Sequence, residues 1–381
     1  MFHTIISLAY IIPNIYVFIR IWKLFINKGY KIHYTLIYLF FASIYPVSNF
    51  LNENVNGFIR IFLSGLANYI LPFYLYLFLF VLLFDILLLI NYLVRIVNTE
   101  KLRTTRFKST ALSLILILAA VVVLGGIINF NTIRTSEYTI DVPARKSKID
   151  HLKIAFAADF HLNKNANIRF VQRFAEKIKM IEPDLMIFGG DIVEGDRNDG
   201  NLSLFAEVLS RIRAKYGVFG VLGNHEHYAG QERGSFFDKA GIKILCDTNV
   251  VLANSFNLTG RNDSHIETRK QIGDLLKSTV DSLPDILIDH RPIEIDKVSK
   301  TTFDVQLSGH THNGQLFPIN LITRMVYILS WGHKKIGNTH FFVTSGIRLW
   351  GPPVRTTGKS EIMIININFS EEGTKAQHSP D

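Results

Sequence analysis

Leu152-Lys153-Ile154-Ala155-Phe156-Ala157-Ala158-Asp159-Phe160-His161 reads as a buried strand that runs straight into a carboxylate and an imidazole. The apolar run over 152–158 has the length of a core strand. Asp159 and His161, two residues apart on a short extended segment, face the same side. The same grammar recurs downstream. The runs at 184–188, 218–222, 285–288 and 304–307 each lead into polar blocks. These are Gly189-Gly190-Asp191, Gly223-Asn224-His225-Glu226, Asp289-His290-Arg291-Pro292 and Gly309-His310-Thr311-His312-Asn313-Gly314-Gln315. Between the first two runs, Ile168, Val171, Phe174, Ala175 and Ile178 recur at helical spacing. Leu204, Val208, Leu209 and Ile212 repeat the pattern before the third. Alternation of strand and helix predicts an α/β domain with parallel pairing, strand-richer over 242–260, 341–343 and 361–367.

In open α/β sheets, ligands collect where strands end at their carboxyl side, so these polar residues are expected to converge on one crevice. A single histidine in such a place is ordinary; five His, two Asp and one Asn at successive strand ends are not. Carboxylate and amide oxygens mixed with imidazoles suit Mn, Fe or Zn rather than Ca or a thiolate-bound ion. About seven such groups with one shared carboxylate would hold two ions. The only cysteine, Cys246, excludes an intrachain disulfide or a cysteine zinc cluster.

The N-terminal third has a different texture. Mean hydropathy over the chain is +0.21, unusual for a wholly soluble protein of 381 residues. Residues 1–134 carry eleven of the 41 Lys/Arg but only Glu53, Asp85 and Glu100 of the 32 acidic groups, so the net charge of +9 belongs almost entirely to this end. A nucleic-acid partner would place its basic residues on the folded domain, and is not expected. Four segments, at about 5–21, 34–51, 72–93 and 111–128, have the length and apolarity of membrane spans. The stretch 58–71, ending at Pro72, is expected to be interfacial or re-entrant. Arg20, Lys23, Lys28 and Lys31 mark the first connection as cytoplasmic, and Arg95, Lys101, Arg103, Arg106 and Lys108 mark the third. The second, around Asn52, is nearly uncharged. That alternation predicts an integral protein of the bacterial cell membrane with its second domain outside the cytoplasm. Asp85 falls inside the third span and is expected to face the bundle as a hydrogen-bonding residue. The expected organisation is thus a membrane anchor over 1–134, a catalytic domain over 135–370 and a disordered polar tail over 371–381. Some seven residues, 129–136, are expected to tether the domain to the last span, reaching roughly 25 Å at most.

The ordered blocks Asp-x-His, Gly-Gly-Asp, Gly-Asn-His-Glu, His-x-Pro and Gly-His-Thr-His resemble those of the calcineurin-like metallophosphoesterases. The block Leu349-Trp350-Gly351-Pro352-Pro353-Val354-Arg355 is similar to the bacterial branch related to the transmembrane protein with metallophosphoesterase domain. The resemblance covers about 137–369 in detail and the anchor only in architecture. It implies a four-layer αββα sandwich with a binuclear centre. One ion would take Asp159, His161, Asp191 and His312, the other Asp191, Asn224, His290 and His310, with Asp191 bridging. Glu226 stands where many members have Asp, and Asn313 where this branch often has Gly.

The implied chemistry is phosphoester hydrolysis. Two cations neutralise phosphoryl oxygens and acidify the attacking water. His225 is expected to protonate the leaving group, with Glu226 orienting its ring. Arg355 and Arg291 are the expected clamps on phosphate oxygens. His227, His265, His333 and His340 match no motif and read as ordinary histidines. A lipid-linked phosphoester is the preferred substrate. The alternatives are the pyrophosphate of a UDP-diacylglucosamine-type lipid A precursor, and an inactive receptor or structural module.

Overall fold

The computed structural model of the chain describes residues 2–50, 57–163, 166–194, 200–228 and 235–370. The connection predicted around Asn52 and the tail over 371–381 lie outside the described residues. The chain forms two units: Met1–Asn129 with Gly351–Thr356, and Phe130–Trp350 with Thr357–Asp381.

The first unit contains α1 (Phe2–Leu24), α2 (Lys31–Phe50), α3 (Gly57–Val94), the short α4 (Thr99–Arg103) and α5 (Thr105–Asn131). Each predicted span falls on one of these helices. Two of them, α3 and α5, are long and apolar enough to cross a membrane. The separate interfacial or re-entrant piece expected over 58–71 is absent: 58–71 and 72–93 both lie on the one 38-residue helix α3. A proline removes one backbone hydrogen bond, and in apolar surroundings the remaining ladder holds the helix together. Arg20 is not in a connection either. It lies within α1 and grips Asp85 of α3 with two bonds, Nε to Oδ2 at 2.6 Å and Nη2 to Oδ1 at 2.5 Å, while the Tyr16 hydroxyl also donates to that carboxylate. An aspartate amid apolar helices is thereby neutralised by a planar, bidentate partner. The Asn14 side chain of α1 accepts from the Tyr38 hydroxyl of α2, and the Tyr10 hydroxyl donates to the carbonyl of Ala42.

In the second unit, β1 (Ile133–Pro143) begins one residue after α5 ends, so the expected seven-residue tether is not there. Two six-stranded mixed sheets follow. The first has the order β1, β12 (Ser360–Ser370), β2 (His151–Ala157), β3 (Leu185–Phe188), β4 (Val218–Gly220), β5 (Lys243–Ile244), parallel except where β12 meets β2. The second runs β10 (Gly332–Ile336), β11 (Thr339–Val343), β9 (Val305–Ser308), β8 (Asp285–Ile288), β7 (Phe256–Gly260), β6 (Thr248–Leu252), with antiparallel pairs only at its two edges.

Alternation along the strands assigns the layers. Ile154, Phe156 and Ile187 of the first sheet share a core with Leu258, Ile286, Leu307 and Phe342 of the second. Their neighbours Ala155, Ala157, Met186 and Phe188 face outward onto α6 (Ile168–Ile181) and α7 (Gly200–Leu209). Leu287 and Phe341 face out from the second sheet onto α10 (Ile272–Leu276) and α11 (Ile295–Val298). The order is helix, sheet, sheet, helix. Apolar faces on both sides explain why these strands read as continuous hydrophobic runs.

At the start of β8, the Asp285 backbone N–H donates to Asp304 Oδ2 at 2.8 Å, and Arg145 pairs with Asp304 at 2.7 Å. Burial, with the Asp304 charge adding to it, pushes the Asp285 carboxyl up to about 7. An unfolded aspartate titrates near 4, so between about pH 4 and 7 the folded state holds a proton that the unfolded state has lost. Stability from this group is full at the acid end of that window and lost as pH rises through 7. Asp285→Asn should therefore flatten the fall in unfolding free energy between pH 5 and 8 by roughly 2 kcal/mol, measured by denaturant titration in detergent. An unchanged slope would exclude Asp285 as its source.

Candidate metal centre

The ligand-type residues occupy the turns that leave the carboxyl ends of β2, β3, β4, β8 and β9. Five of the seven predicted ligands have left-handed backbone: Asp159 (φ 61°), His161 (45°), Asp191 (51°), His310 (70°) and His312 (50°). Such conformations cost about 1–3 kcal/mol each, and gather where a site holds its side chains in place. The neighbouring glycines are steric necessities. A Cβ on Gly223 would fall 2.2 Å from Asp191 Oδ1, and one on Gly190 (φ 91°) would fall 2.7 Å from His290 Nδ1.

Three groups of donor atoms result: Asp159, His161 and His312; His161, Asp191 and His225; Asp191, His290 and His310. They overlap at His161 and Asp191. Asp191 Oδ2 lies 3.1 Å from His290 Nε2 and 4.0 Å from His161 Nε2, while Asp159 Oδ1 lies 3.7 Å from His312 Nε2. Asn224 begins α8 (Asn224–Tyr228), and the next N–H, that of His225, donates to Asp191 Oδ1 at 2.8 Å.

Proton positions decide whether this set fits a cation. His290 Nδ1 donates to the carbonyl of Gly189 at 2.7 Å, and His161 Nδ1 stands 3.2 Å from Glu194 Oε2. With Nδ1 so engaged, each ring turns its Nε2 inward, where a cation would take the place of the second proton. His161 Nε2 faces His312 Nε2 at 3.2 Å. The buried Asn224 Oδ1 has no hydrogen-bond partner among the described residues. Lone pairs meeting lone pairs in a dry site are repulsive unless a proton or a metal ion lies between them. The residues fit divalent cations, and the outer hydrogen bonds that fix the rings are those a metal site requires.

The electrostatics agree. Burial pushes the Asp159 carboxyl up to about 6. Burial disfavours the His290 imidazolium, yet the Asp191 and Asp159 carboxylates push it up to about 10. Asp191, although buried, is held well below the usual carboxylate range by His290 and His161. Burial, reinforced by His290, takes His310 down to about 3. His225 is lowered mainly by burial. The carboxylates thus favour positive charge at His290, while burial disfavours it at His310 and His225.

Glu226 departs from expectation. It is fully buried and its two oxygens accept the backbone N–H groups of Asp191 (3.0 Å), Ile192, Val193 (2.9 Å) and Gly223 (2.8 Å). Successive helical residues project about 100° apart, so the position after His225 turns away from its ring. Glu226 clamps the Gly-Gly-Asp turn instead of orienting His225, and burial pushes its carboxyl up to about 7. The carboxylate near that ring is Glu194, 3.7 Å from His225 Nδ1. Its only sequence signal was an acid three residues past Asp191.

Arg291 lies with Nε 2.9 Å from Asp263 Oδ2, and Nη2 is 2.7 Å from His265 Nδ1. His265 also meets the Tyr228 hydroxyl at 2.8 Å. This network was not read from the sequence, where His265 passed as ordinary. Rings of Tyr228 and Trp350 lie 5.8 and 6.5 Å from that of His225. Arg355 belongs to the helical unit and is buried, its backbone N–H donating to the carbonyl of Gly126 and its carbonyl accepting from the Asn129 side chain. His333 and His340 stack on each other across β10 and β11.

Comparison with known proteins places this geometry. Residues 152–314 match the calcineurin-like phosphoesterase family. An uncharacterized metallophosphoesterase of Campylobacter jejuni is 33% identical over 66% of this chain and 68% of its own. One of Aquifex aeolicus is 31% identical over 65% of this chain and 97% of its own. The transmembrane protein with metallophosphoesterase domain of Danio rerio is 25% identical over 69% of this chain and 63% of its own.

Proposed function

The chain belongs to the calcineurin-like metallophosphoesterases and is a metal-dependent phosphoester hydrolase; on that premise we propose that it is a membrane-anchored enzyme working with two divalent ions on a lipid-linked phosphoester. The observation that carries the binuclear reading is the overlap of three donor groups at Asp191 and His161. Asp159, His161, Asp191 and His312 would hold one ion, and Asp191, Asn224, His290 and His310 the other. Bound there, two cations supply neutralisation of phosphoryl oxygens and an acidified water. His225 sits beside Asp191 and gives its proton to the departing oxygen. Glu194 positions that ring. Arg291, braced by Asp263, meets phosphate oxygens.

Two helices of membrane-crossing length and a single residue, Thr132, between α5 and β1 support a substrate held at the bilayer. A long soluble tether would suit diffusible substrates better. The basic residues between α3 and α5 favour a domain outside the cytoplasm. Protease added to intact spheroplasts should degrade the phosphoesterase domain while sparing a cytoplasmic control. A bilayer-embedded phosphoester should be cleaved several-fold faster than its soluble analogue. Protection from protease would instead favour a cytoplasmic lipid-precursor pyrophosphatase, and equal rates would remove the lipid preference.

A further inference from the structure

Directly after the turn that carries His310 and His312 lies a helix built inside out. In α12 (Ile319–Val326) the polar Asn320 is buried, while Ile322, Met325 and Val326 are 59%, 87% and 68% exposed. Phe317, Ile319, Leu321 and Ile328 extend the exposed apolar surface on either side. A contiguous patch of this kind on a folded domain marks a surface that meets something apolar.

We infer that α12 is a second membrane contact of the phosphoesterase domain, lying in the headgroup–acyl boundary of a phospholipid bilayer beside the metal-ligand turn. Three observations select a bilayer as the occupant. Charge comes first: no Asp or Glu occurs anywhere in 305–360, whereas Arg324 lies on the helix and Lys334 and Lys335 are exposed on the edge strand β10 that follows. An apolar face whose own segment carries cations and no acids matches an anionic lipid surface. Tyr327, a residue type that favours that boundary, directly follows the helix. Finally, the same chain carries two helices of membrane-crossing length, so a bilayer is a surface it brings with it.

The coupling to the site is steric. Gly314 (φ 70°) packs so closely on α12 that a Cβ would fall 2.4 Å from the Asn320 nitrogen. Backbone bonds from Ile319 to the carbonyl of Leu316, and from Thr357 to that of Gln315, fix both ends of the turn. A helix seated in lipid therefore holds the His312 turn at the membrane surface, within reach of phosphates there.

The test uses the full chain in single-copy nanodiscs containing anionic lipid, with Cys246→Ser removing the native thiol. An environment-sensitive fluorophore on Met325→Cys should be quenched by shallow spin-labelled lipids at least threefold more than one on Lys277→Cys, an exposed control on the other side of a helix boundary. Equal quenching at the two sites would overturn the inference. So would a blue shift seen only in discs holding two chains, since a second copy would then cover the patch. As a further readout, Ile322→Glu with Met325→Glu should slow cleavage of a bilayer-embedded phosphoester about tenfold more than that of a soluble aryl phosphoester. Equal slowing would also count against it. Quenching needs no turnover, so failure of this surface is distinguishable from failure of the hydrolytic reading.

Discussion

Asp191→Ala is expected to abolish both metal occupancy and turnover. Asp191 belongs to two of the three donor groups, and its Oδ1 also receives the N–H that positions His225. Of the two residues shared between groups, His161 and Asp191, it is the carboxylate. Its loss removes the carboxylate shared among the imidazoles of His161, His225, His290 and His310. Bound cations lower the pKa of water from about 15.7 to about 7, so turnover at neutral pH should fall more than about 10³-fold. Elemental analysis of the purified protein should show occupancy falling from two ions per chain towards none. Asp191→Asn keeps the shape of the side chain and guards against a folding defect; it should lose metal and turnover while keeping the melting transition of metal-stripped wild type. His333→Ala, in the stacked pair on β10 and β11, should change neither. Full activity in verified metal-free protein would end the metal-dependent reading.

How far the sequence carried the description depended on range. Strands β2, β3, β4, β8 and β9, and the ligand-type residues at their ends, were legible because a strand buried on both faces leaves an unbroken apolar run, and each of these runs stops at a polar block. Proximity of those blocks followed from a general property of α/β sheets. What stayed hidden was set by side-chain direction and by contacts distant in sequence. Glu226 and His225 are neighbours in the chain, yet a helical turn sends one to backbone amides in the core and the other to the cleft. Glu194, the carboxylate nearest the His225 ring, looked like any acid after a strand. Asp85 was recognisable as a misfit among apolar residues, but its partner Arg20 is 65 positions away and reads locally as a flanking basic residue. Pro72 read as the end of a separate piece, which the continuous apolar helix does not form. The exposed face of α12 was equally opaque, since the direction of its apolar residues shows only in their burial.

His225→Ala should leave both metal sites filled and slow turnover by about 10²–10⁴-fold, with the loss graded by leaving group. His225 lies beside Asn224 in sequence, but its ring is partly exposed in the cleft, 4.6 Å from that of His161 and edge-on to it. Burial lowers its proton affinity, so the ring must gain its proton as the negative charge of the phosphate arrives beside it. An alkoxide departs poorly without a proton, whereas a nitrophenolate departs readily. Alkyl esters should therefore suffer far more than aryl esters, and a plot of log rate against leaving-group pKa should steepen in the variant. Glu194→Gln tests the support for this role. Glu194 is 3.7 Å from His225 Nδ1 and 3.2 Å from His161 Nδ1, so its loss weakens the orientation of both rings. A positioning carboxylate predicts a smaller, tenfold-order decrease in kcat with the same bias against alkyl esters. If His225→Ala lost alkyl and aryl activity equally, the ring would be a binder of phosphate oxygens, and the proton for the leaving group would have to come from water.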